Sequence, residues 1–336
     1  MTHQSTVEIV GEQNAPAIYR QALAGAVMLD EGHAGRIWMR GRDRAELLQR
    51  LTTNDIARLK PGQGMLTVLT TPIGRIMDVL AVYALGDALL IVTSIGQGPT
   101  VYGHLRKNIF FNDQVTLEAA GRSHGQLALF GPQAASMLET LSGADLAGLP
   151  LHGIVETTIA GAPVRVARRK PIGGEGFTLF VPIEHLEALR ATLAQAGVGT
   201  LDDETYQVLR VEHGLPAFGH ELGLEYIPLE TGLTDAICFS KGCYVGQEII
   251  ARMESRNRLA KQLRGLRLSG AASAPGKLHV DGKESGDLTS AVLSPRFGPI
   301  ALAYVRSAHA ATGSVVALEN GVSGTVVDLP FENDGA

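Results

Sequence analysis

Gly41-Arg42-Asp43-Arg44-Ala45-Glu46-Leu47-Leu48-Gln49-Arg50-Leu51 has a counterpart further along the chain in Gly131-Pro132-Gln133-Ala134-Ala135-Ser136-Met137-Leu138-Glu139-Thr140-Leu141. Glycine opens both runs, and apolar residues then recur at matching offsets, as on one face of a helix. A strand-like run precedes each, at residues 37–39 and 127–130. Strand patterns follow the first at 65–70, 76–85 and 88–93, and the second at 154–159, 164–167 and 177–181. Each half closes with a further helical pattern, near 99–109 and 183–196. The order strand, helix, strands, helix, given twice, predicts an α+β fold of two related lobes with helices on one sheet face. The bland alternative is that amphipathic helices after glycine turns resemble one another anyway.

From about residue 262 short alternating strands take over, at 263–268, 288–293, 300–305, 314–318 and 324–329. Turn signals at Asp281-Gly282, Asn320-Gly321 and Ser323-Gly324 separate some of them, the pattern of a small antiparallel barrel or sandwich. The expected division is therefore 1–122 and 123–240 for the two α+β lobes, the second free to interleave with the first. Residues 241–261 form a motif helix and linker, and 262–336 a C-terminal β-barrel. Three lobes leave a cleft between them, where ligands bind.

Composition narrows the class. The 336 residues are 45% hydrophobic and 19% charged, with a net charge of −5, which argues against a generic nucleic-acid coat protein. Two cysteines with four residues between them form no disulfide framework and no paired C-x-x-C zinc site, so reduced thiols in a reducing compartment are expected. The apolar stretch 22–29 is short and ringed by acids, unlike a signal peptide. No run approaches the roughly 20 apolar residues of a bilayer span. A cytoplasmic protein with no membrane partner is expected.

Common catalytic motifs are absent: no Walker loop, H-E-x-x-H, G-x-S-x-G or EF-hand loop occurs. Gly96-Gln97-Gly98 is followed by Pro99 and reads as a turn, and Gly173-Gly174-Glu175-Gly176 as a hairpin-type loop. Lys241-Gly242-Cys243-Tyr244-Val245-Gly246-Gln247-Glu248 is more pointed. It places Cys243 beside a lysine at the expected start of a helix, where unpaired N–H groups and Lys241 both favour a thiolate able to attack or to ligate metal. The alternative is a small residue packed at a crowded turn. In Thr205 to Gly219, Tyr206, Leu209 and His213 share a helix face, and Glu212 ends the helix just before Gly214-Leu215-Pro216. A carboxylate there opposes the helix dipole, so it either meets an N–H-rich partner or pairs at the surface with Arg210. Arg252, Arg256, Arg258, Lys261, Arg264 and Arg267, against Glu254 alone, form a basic run for a polyanionic tail, a phosphate or RNA, or a solvated face. No aromatic residues interleave as a stacking platform, so no direct nucleic-acid binding is expected.

Asn54-Asp55, Pro61-Gly62-Gln63-Gly64, Gly74-Arg75-Ile76-Met77-Asp78, Arg210-Val211-Glu212-His213-Gly214 and the Lys241–Glu248 stretch together resemble the folate-binding YgfZ-type proteins. These are relatives of the glycine-cleavage T-protein, an aminomethyltransferase, and the likeness runs from about Arg36 to about Arg306. The resemblance implies a three-lobed fold around a central opening that binds tetrahydrofolate and a role in assembling or repairing iron–sulfur clusters, including those of tRNA-modifying enzymes. It implies iron–sulfur assembly or client proteins as partners. The alternative it carries is a one-carbon, aminomethyl or methyl, transferase. By position Glu212 matches the carboxylate holding the pterin edge, and Asp78 lies where an aspartate stands near the reactive folate nitrogen. Tyr206 and Arg252 join them as candidate folate contacts, and Cys243 with Asp78 are the candidate catalytic groups. Lys241, Gly242, Tyr244, Gly246, Gln247 and Glu248 complete the signature, and no metal ligands are expected. Arg75, Val79 and Thr93 depart from the T-protein pattern of Gly-Gly-x-x-Asp-Asp and a later asparagine, which places aminomethyl transfer second.

Overall fold

The computed structural model describes residues 14–256 and 258–332. Contacts divide the chain into two compact units: Gln21–Leu201 with Thr234–Ile249, and Met1–Arg20 with Asp202–Leu233 and Ile250–Ala336.

The first of these holds two sheets. One contains β2 (Ala34–Arg40), β3 (Gly64–Thr70), β4 (Ile76–Leu85), β5 (Ala88–Ile95) and β6 (Thr116–Ala119), ordered β3-β4-β5-β2-β6. Helices α2 (Arg44–Leu51) and α3 (Gly98–Lys107) cover one face through Leu47, Leu48, Val101 and Leu105, packed with Ile37, Met39, Leu80 and Val82. The other contains β1 (Val27–Asp30), β7 (His124–Gly131), β8 (Ile154–Ile159), β9 (Ala162–Arg168), β10 (Glu175–Pro182) and β11 (Gly199–Thr200), ordered β11-β1-β7-β10-β9-β8. Its helices are α4 (Ala134–Ser142) and α5 (Leu186–Gln195), packed through Leu138, Leu189 and Leu193 on Leu127, Leu129, Phe177 and Leu179. Strand side chains alternate between faces, so Trp38, Tyr83, Leu90, Ile154, Ala167 and Phe180 point away from the helices. They form a shared core between the two sheets, where Tyr83 and Phe180 meet edge-on at 5.9 Å.

The repeat is real in three dimensions: each glycine-led run follows a strand of its own sheet and enters α2 or α4. Both glycines sit at positive φ, +104° at Gly41 and +116° at Gly131. A Cβ on Gly41 would lie 2.0 Å from the Gln114 carbonyl oxygen, and one on Gly131 2.3 Å from that of Gly25. Only glycine fits either turn.

The second unit is built on β12 (Lys261–Leu268), β13 (Gly276–Val280), β14 (Lys283–Ser294), β15 (Gly298–Arg306), β16 (Val315–Leu318) and β17 (Ser323–Val327). They close in the order β12-β15-β14-β13-β16-β17, with β17 returning to β12. The fold is thus α+β with a closed antiparallel C-terminal barrel, which removes the open sheet edges a sandwich would leave. Four strands were not expected from the sequence: β1, the two-residue β11, β13, which carries only Leu278 and Val280 as large apolar residues, and β6, largely exposed. Helix α6 (Asp203–Glu212) belongs to this unit, its N-terminus capped by the Asp202 side chain accepting from the Thr205 N–H. Helix α1 (Ala17–Ala24) contributes Tyr19 to it, and α7 (Gln247–Arg256) follows the signature loop. No helix among the described residues is long and apolar enough to cross a membrane.

Candidate functional site

Asp78 lies on β4, in register with Leu69 of β3, on the face that holds Leu80 and Val82. It is 0% exposed. Its two carboxylate oxygens accept the N–H groups of Val79 at 2.9 Å and Ser94 at 3.1 Å. Burial pushes its pKa from 3.8 up to about 6, against the hydrogen bonds from Ser94 and Val79 that pull it down. Such a carboxyl both takes and returns a proton near neutral pH. Val79 beside it supplies no second acid, and Thr93 spends its hydroxyl oxygen accepting the Gly35 N–H at 2.9 Å.

Several motifs scattered through the sequence come together around the Lys241–Glu248 loop. Lys241 Nζ donates to the carbonyls of Gln49, Thr52 and Asn54 at 2.9, 2.8 and 2.6 Å. It caps the carbonyl-rich end of α2 and joins the Asn54-Asp55 motif to the loop. Thr70, next to the residue paired with Asp78, donates to the Val245 carbonyl at 2.6 Å. The Val245 N–H donates to Arg50 O at 3.0 Å. Gly246 has φ +85°, and a Cβ there would lie 2.7 Å from Thr71 O, so this signature glycine is required by its turn. Tyr244 is buried under the Lys241 ammonium, which lies 5.1 Å from its ring centroid. Gln247 opens α7 and Glu248 is exposed.

Two expectations for Cys243 are corrected. Helix α7 begins at Gln247, so Cys243 stands ahead of the first turn and outside the reach of its N–H groups. The Lys241 charge is turned away from it into the three carbonyls, where burial pushes the lysine pKa from 10.5 down to about 8, against Asp55 and Cys238. Cys243 is exposed on the loop. A setting that favours the thiolate is found at Cys238. Cys238 makes a hydrogen bond with Ser240 that lowers its pKa, helped by the N–H groups of Ser240 and Lys241, while burial opposes them.

In the barrel unit, Glu212 is 2% exposed and not a surface residue. Its Oε1 accepts from the Tyr19 hydroxyl at 2.8 Å and the Ser294 hydroxyl at 2.6 Å. Arg210 does not pair with it. Arg210 binds Glu221 at 3.0 Å and Ser290 at 2.7 Å, and Glu221 also accepts from Thr289 and Ser290. This buried network holds the end of α6 on β14. Sequence reasoning missed Tyr19 and Ser294, which lie 193 and 82 residues from Glu212. Tyr206 is half-buried on α6 and Arg252 is exposed on α7.

Three residues of the basic run are engaged within the barrel unit. Arg264 pairs with Asp328 at 2.6 Å, Arg267 donates to Glu332 O, and Lys261 lies 4.4 Å above the Tyr226 ring. Alternation in β12 puts Arg264 on the face opposite Lys261 and Arg267. A cavity of about 610 Å³ in the two-sheet unit is lined by Trp38, Arg40, Asp87, Glu118, His124 and Arg165, among others. Both its guanidiniums lie over Trp38 and are already held by carboxylates, Arg40 by Glu118 and Arg165 by Glu156. None of the expected site residues lines it. Among the described residues no group of three or more His, Cys, Asp or Glu is placed to hold a metal.

Two family models match: the GCVT N-terminal domain over residues 15–241 and the glycine cleavage T-protein C-terminal barrel domain over 261–332. A provisionally named chloroplastic transferase of Arabidopsis thaliana is 34% identical over 91% of this chain and 71% of its own. An aminomethyltransferase of Herpetosiphon aurantiacus is 30% identical over 94% and 89%. Among solved structures, the glycine cleavage system aminomethyltransferase T of Bartonella henselae superposes with a TM-score of 0.85 at 25% identity, covering 94% of this chain and 88% of that one. The chain belongs to the glycine-cleavage T-protein family.

Proposed function

We propose that this T-protein family member binds a reduced folate and serves as an accessory factor for iron–sulfur proteins, with Cys243 as its working thiol. The observation that carries the reading is the loop itself. Lys241, Val245 and Gly246 are tied down through Gln49, Thr52, Asn54, Arg50, Thr70 and a glycine-only turn, while Cys243 between them is exposed. A rigid loop that presents a thiol suits transfer of sulfur or a cluster to a partner, or a transient bond with it. Glu212 is proposed to hold the amidine-like edge of the pterin. The test is restoration of iron–sulfur enzyme activity in cells that depend on this protein. Cys243→Ser should fold and fail, and Cys238→Ser should restore most activity. Equal behaviour of the two variants removes the special role of Cys243.

A second reading, aminomethyl or methyl transfer, is favoured by the raised pKa of Asp78 and by relatives named as aminomethyltransferases. In that reading Asp78 moves a proton at the folate nitrogen, with a contribution of roughly 10²–10⁴-fold. Turnover of tetrahydrofolate with a methylamine-type donor, abolished by Asp78→Asn while folate binding persists, selects it. Absence of transfer from every such donor removes it.

A further inference from the structure

We propose that exposed apolar residues bordering the Lys241–Glu248 loop form the docking face for an acidic protein partner that engages Cys243. The inference rests on the reading of Cys243 as a thiol presented to a partner. Ile73, Phe110, Phe111 and Phe239 are large apolar side chains left in solvent, and Phe111 is wholly exposed. Each sits on a segment tied to this loop or leading into it. Gly74, next to Ile73, is so close that a Cβ on it would stand 3.5 Å from Gly246 O and 3.2 Å from Ile249 Cβ. Ile109, next to Phe110, packs on the same core as Val245. The Arg50 guanidinium lies 4.8 Å from the Phe110 ring centroid, and the Arg50 carbonyl accepts the Val245 N–H. Asp113 accepts from both Arg50 and the Phe110 N–H at 2.8 Å, which fixes the turn that holds the two phenylalanines out. Phe239 follows Cys238, whose N–H donates to Thr53 O at 3.0 Å.

Single exposed apolar residues need no explanation, but a group of them around one loop marks an interaction surface. Aromatic side chains are also the usual anchors of such surfaces. Charge indicates the kind of partner. Arg106 and Lys107, in the last turn of α3 just before the phenylalanines, are exposed and enter no ion pair among the described residues. The acids beside them are already engaged: Asp113 binds Arg50, and Glu46 lies 3.7 Å from the same guanidinium. An apolar face with uncompensated positive charge complements one that carries carboxylates around an apolar patch. Cys243, exposed on the bordered loop, selects a protein over a lipid surface, because a thiol needs a reacting centre to meet.

The experiment compares the full-length wild type, Phe111→Ser, the double variant Arg106→Gln with Lys107→Gln, and Cys243→Ser. Each is scored for restored iron–sulfur enzyme activity in cells that depend on this protein, and each purified protein for its thermal midpoint. Phe111 is wholly in solvent, so its loss should leave the midpoint at the wild-type value. Docking predicts a loss of restoration of about tenfold or more for Phe111→Ser, the size of an aromatic anchor. The double variant should lose about threefold, through slower association. Raising the level of either variant by the same factor should recover activity by mass action. Cys243→Ser should stay inactive at every level, because it lacks the reacting group and not the contact. Restoration by Phe111→Ser equal to wild type would overturn the docking face and leave the reading of Cys243 standing. Restoration by Cys243→Ser equal to wild type would overturn both. Flotation of the wild type with phosphatidylserine-containing vesicles, lost in Phe111→Ser, would assign the face to lipid and overturn the protein partner. A dimer in sedimentation that depends on Phe111 would overturn it in favour of a second copy of this chain.

Discussion

Replacing Asp78 by asparagine should make stability less dependent on acid pH, by an amount the structure sets. Its pKa stands at about 6 instead of 3.8 because the carboxyl is sealed from water. At about 1.36 kcal/mol per pH unit, the ionised form costs the fold about 3 kcal/mol. The sign follows from proton counting. Below the unfolded-chain value both states hold the proton and nothing is lost. As pH rises toward 6 the unfolded chain releases its proton first, so stability falls, and above the folded value the full loss is present. Asparagine removes this cost but turns a donor toward one of the two N–H groups, Val79 or Ser94, that the carboxylate accepts. Leaving that N–H unsatisfied costs roughly 1–3 kcal/mol. At neutral pH the two effects nearly cancel, and the variant should lie within about 2 kcal/mol of wild type. The decisive quantity is the change in that difference with pH. Urea unfolding of both proteins at several values from pH 4 to 7.5, with hydrogen exchange of the β4 amides to localise the transition, should show the variant gaining about 2.5 kcal/mol relative to wild type across the series. Parallel profiles would mean that Asp78 titrates like a solvated carboxyl, and the proton-handling role built on its burial would fall.

Lys241→Met should destabilise the two-sheet unit by about 2–3 kcal/mol, since three carbonyls lose a charged donor while the burial cost of the ammonium disappears. Hydrogen exchange at residues 241–246 should accelerate with it; unchanged protection would show that the loop stands without this clamp. Gly131→Ala should lower thermal stability by more than the roughly 1 kcal/mol of an ordinary glycine replacement, because the added Cβ meets the Gly25 carbonyl; a calorimetric midpoint equal to wild type would refute the close approach. Alkylation of Cys238 in a Cys243→Ser background should follow a thiolate titration midpoint below 9.0, as its hydrogen bond with Ser240 requires. A midpoint at or above that value would contradict the geometry.

The fold was legible where local signals coincided with tertiary need. Gly41 and Gly131 announced the two lobes because each must adopt a backbone conformation closed to other residues, and the strands at 76–85 and 154–159 are rich in apolar and β-branched residues. β1 was not legible as part of the second sheet, because it precedes the first lobe in the chain yet pairs with β7, a non-local choice no window of sequence records. β13 escaped because its apolar content is too small to mark a strand.

The misplaced charge at the end of α6 drew attention to Glu212, which the structure buries against two hydroxyls instead of pairing with Arg210 at the surface. The donors that accommodate it, Tyr19 and Ser294, come from distant segments and carry no local signature. Lys241 misled for a related reason: adjacency in sequence put its charge beside Cys243, whereas its long side chain carries the ammonium to the end of α2. Short-range proximity along a loop says little about where a flexible cation ends.

The most direct test of the account is an anaerobic calorimetric titration of tetrahydrofolate into the wild-type protein and Glu212→Gln. The substitution preserves an acceptor for Tyr19 and Ser294 and removes only the charge. The account predicts binding by the wild type and a weakening of about tenfold or more in the variant, the size of a lost charged hydrogen bond. Equal binding by both, or none by the wild type, would contradict the assignment of Glu212 as the folate-holding carboxylate.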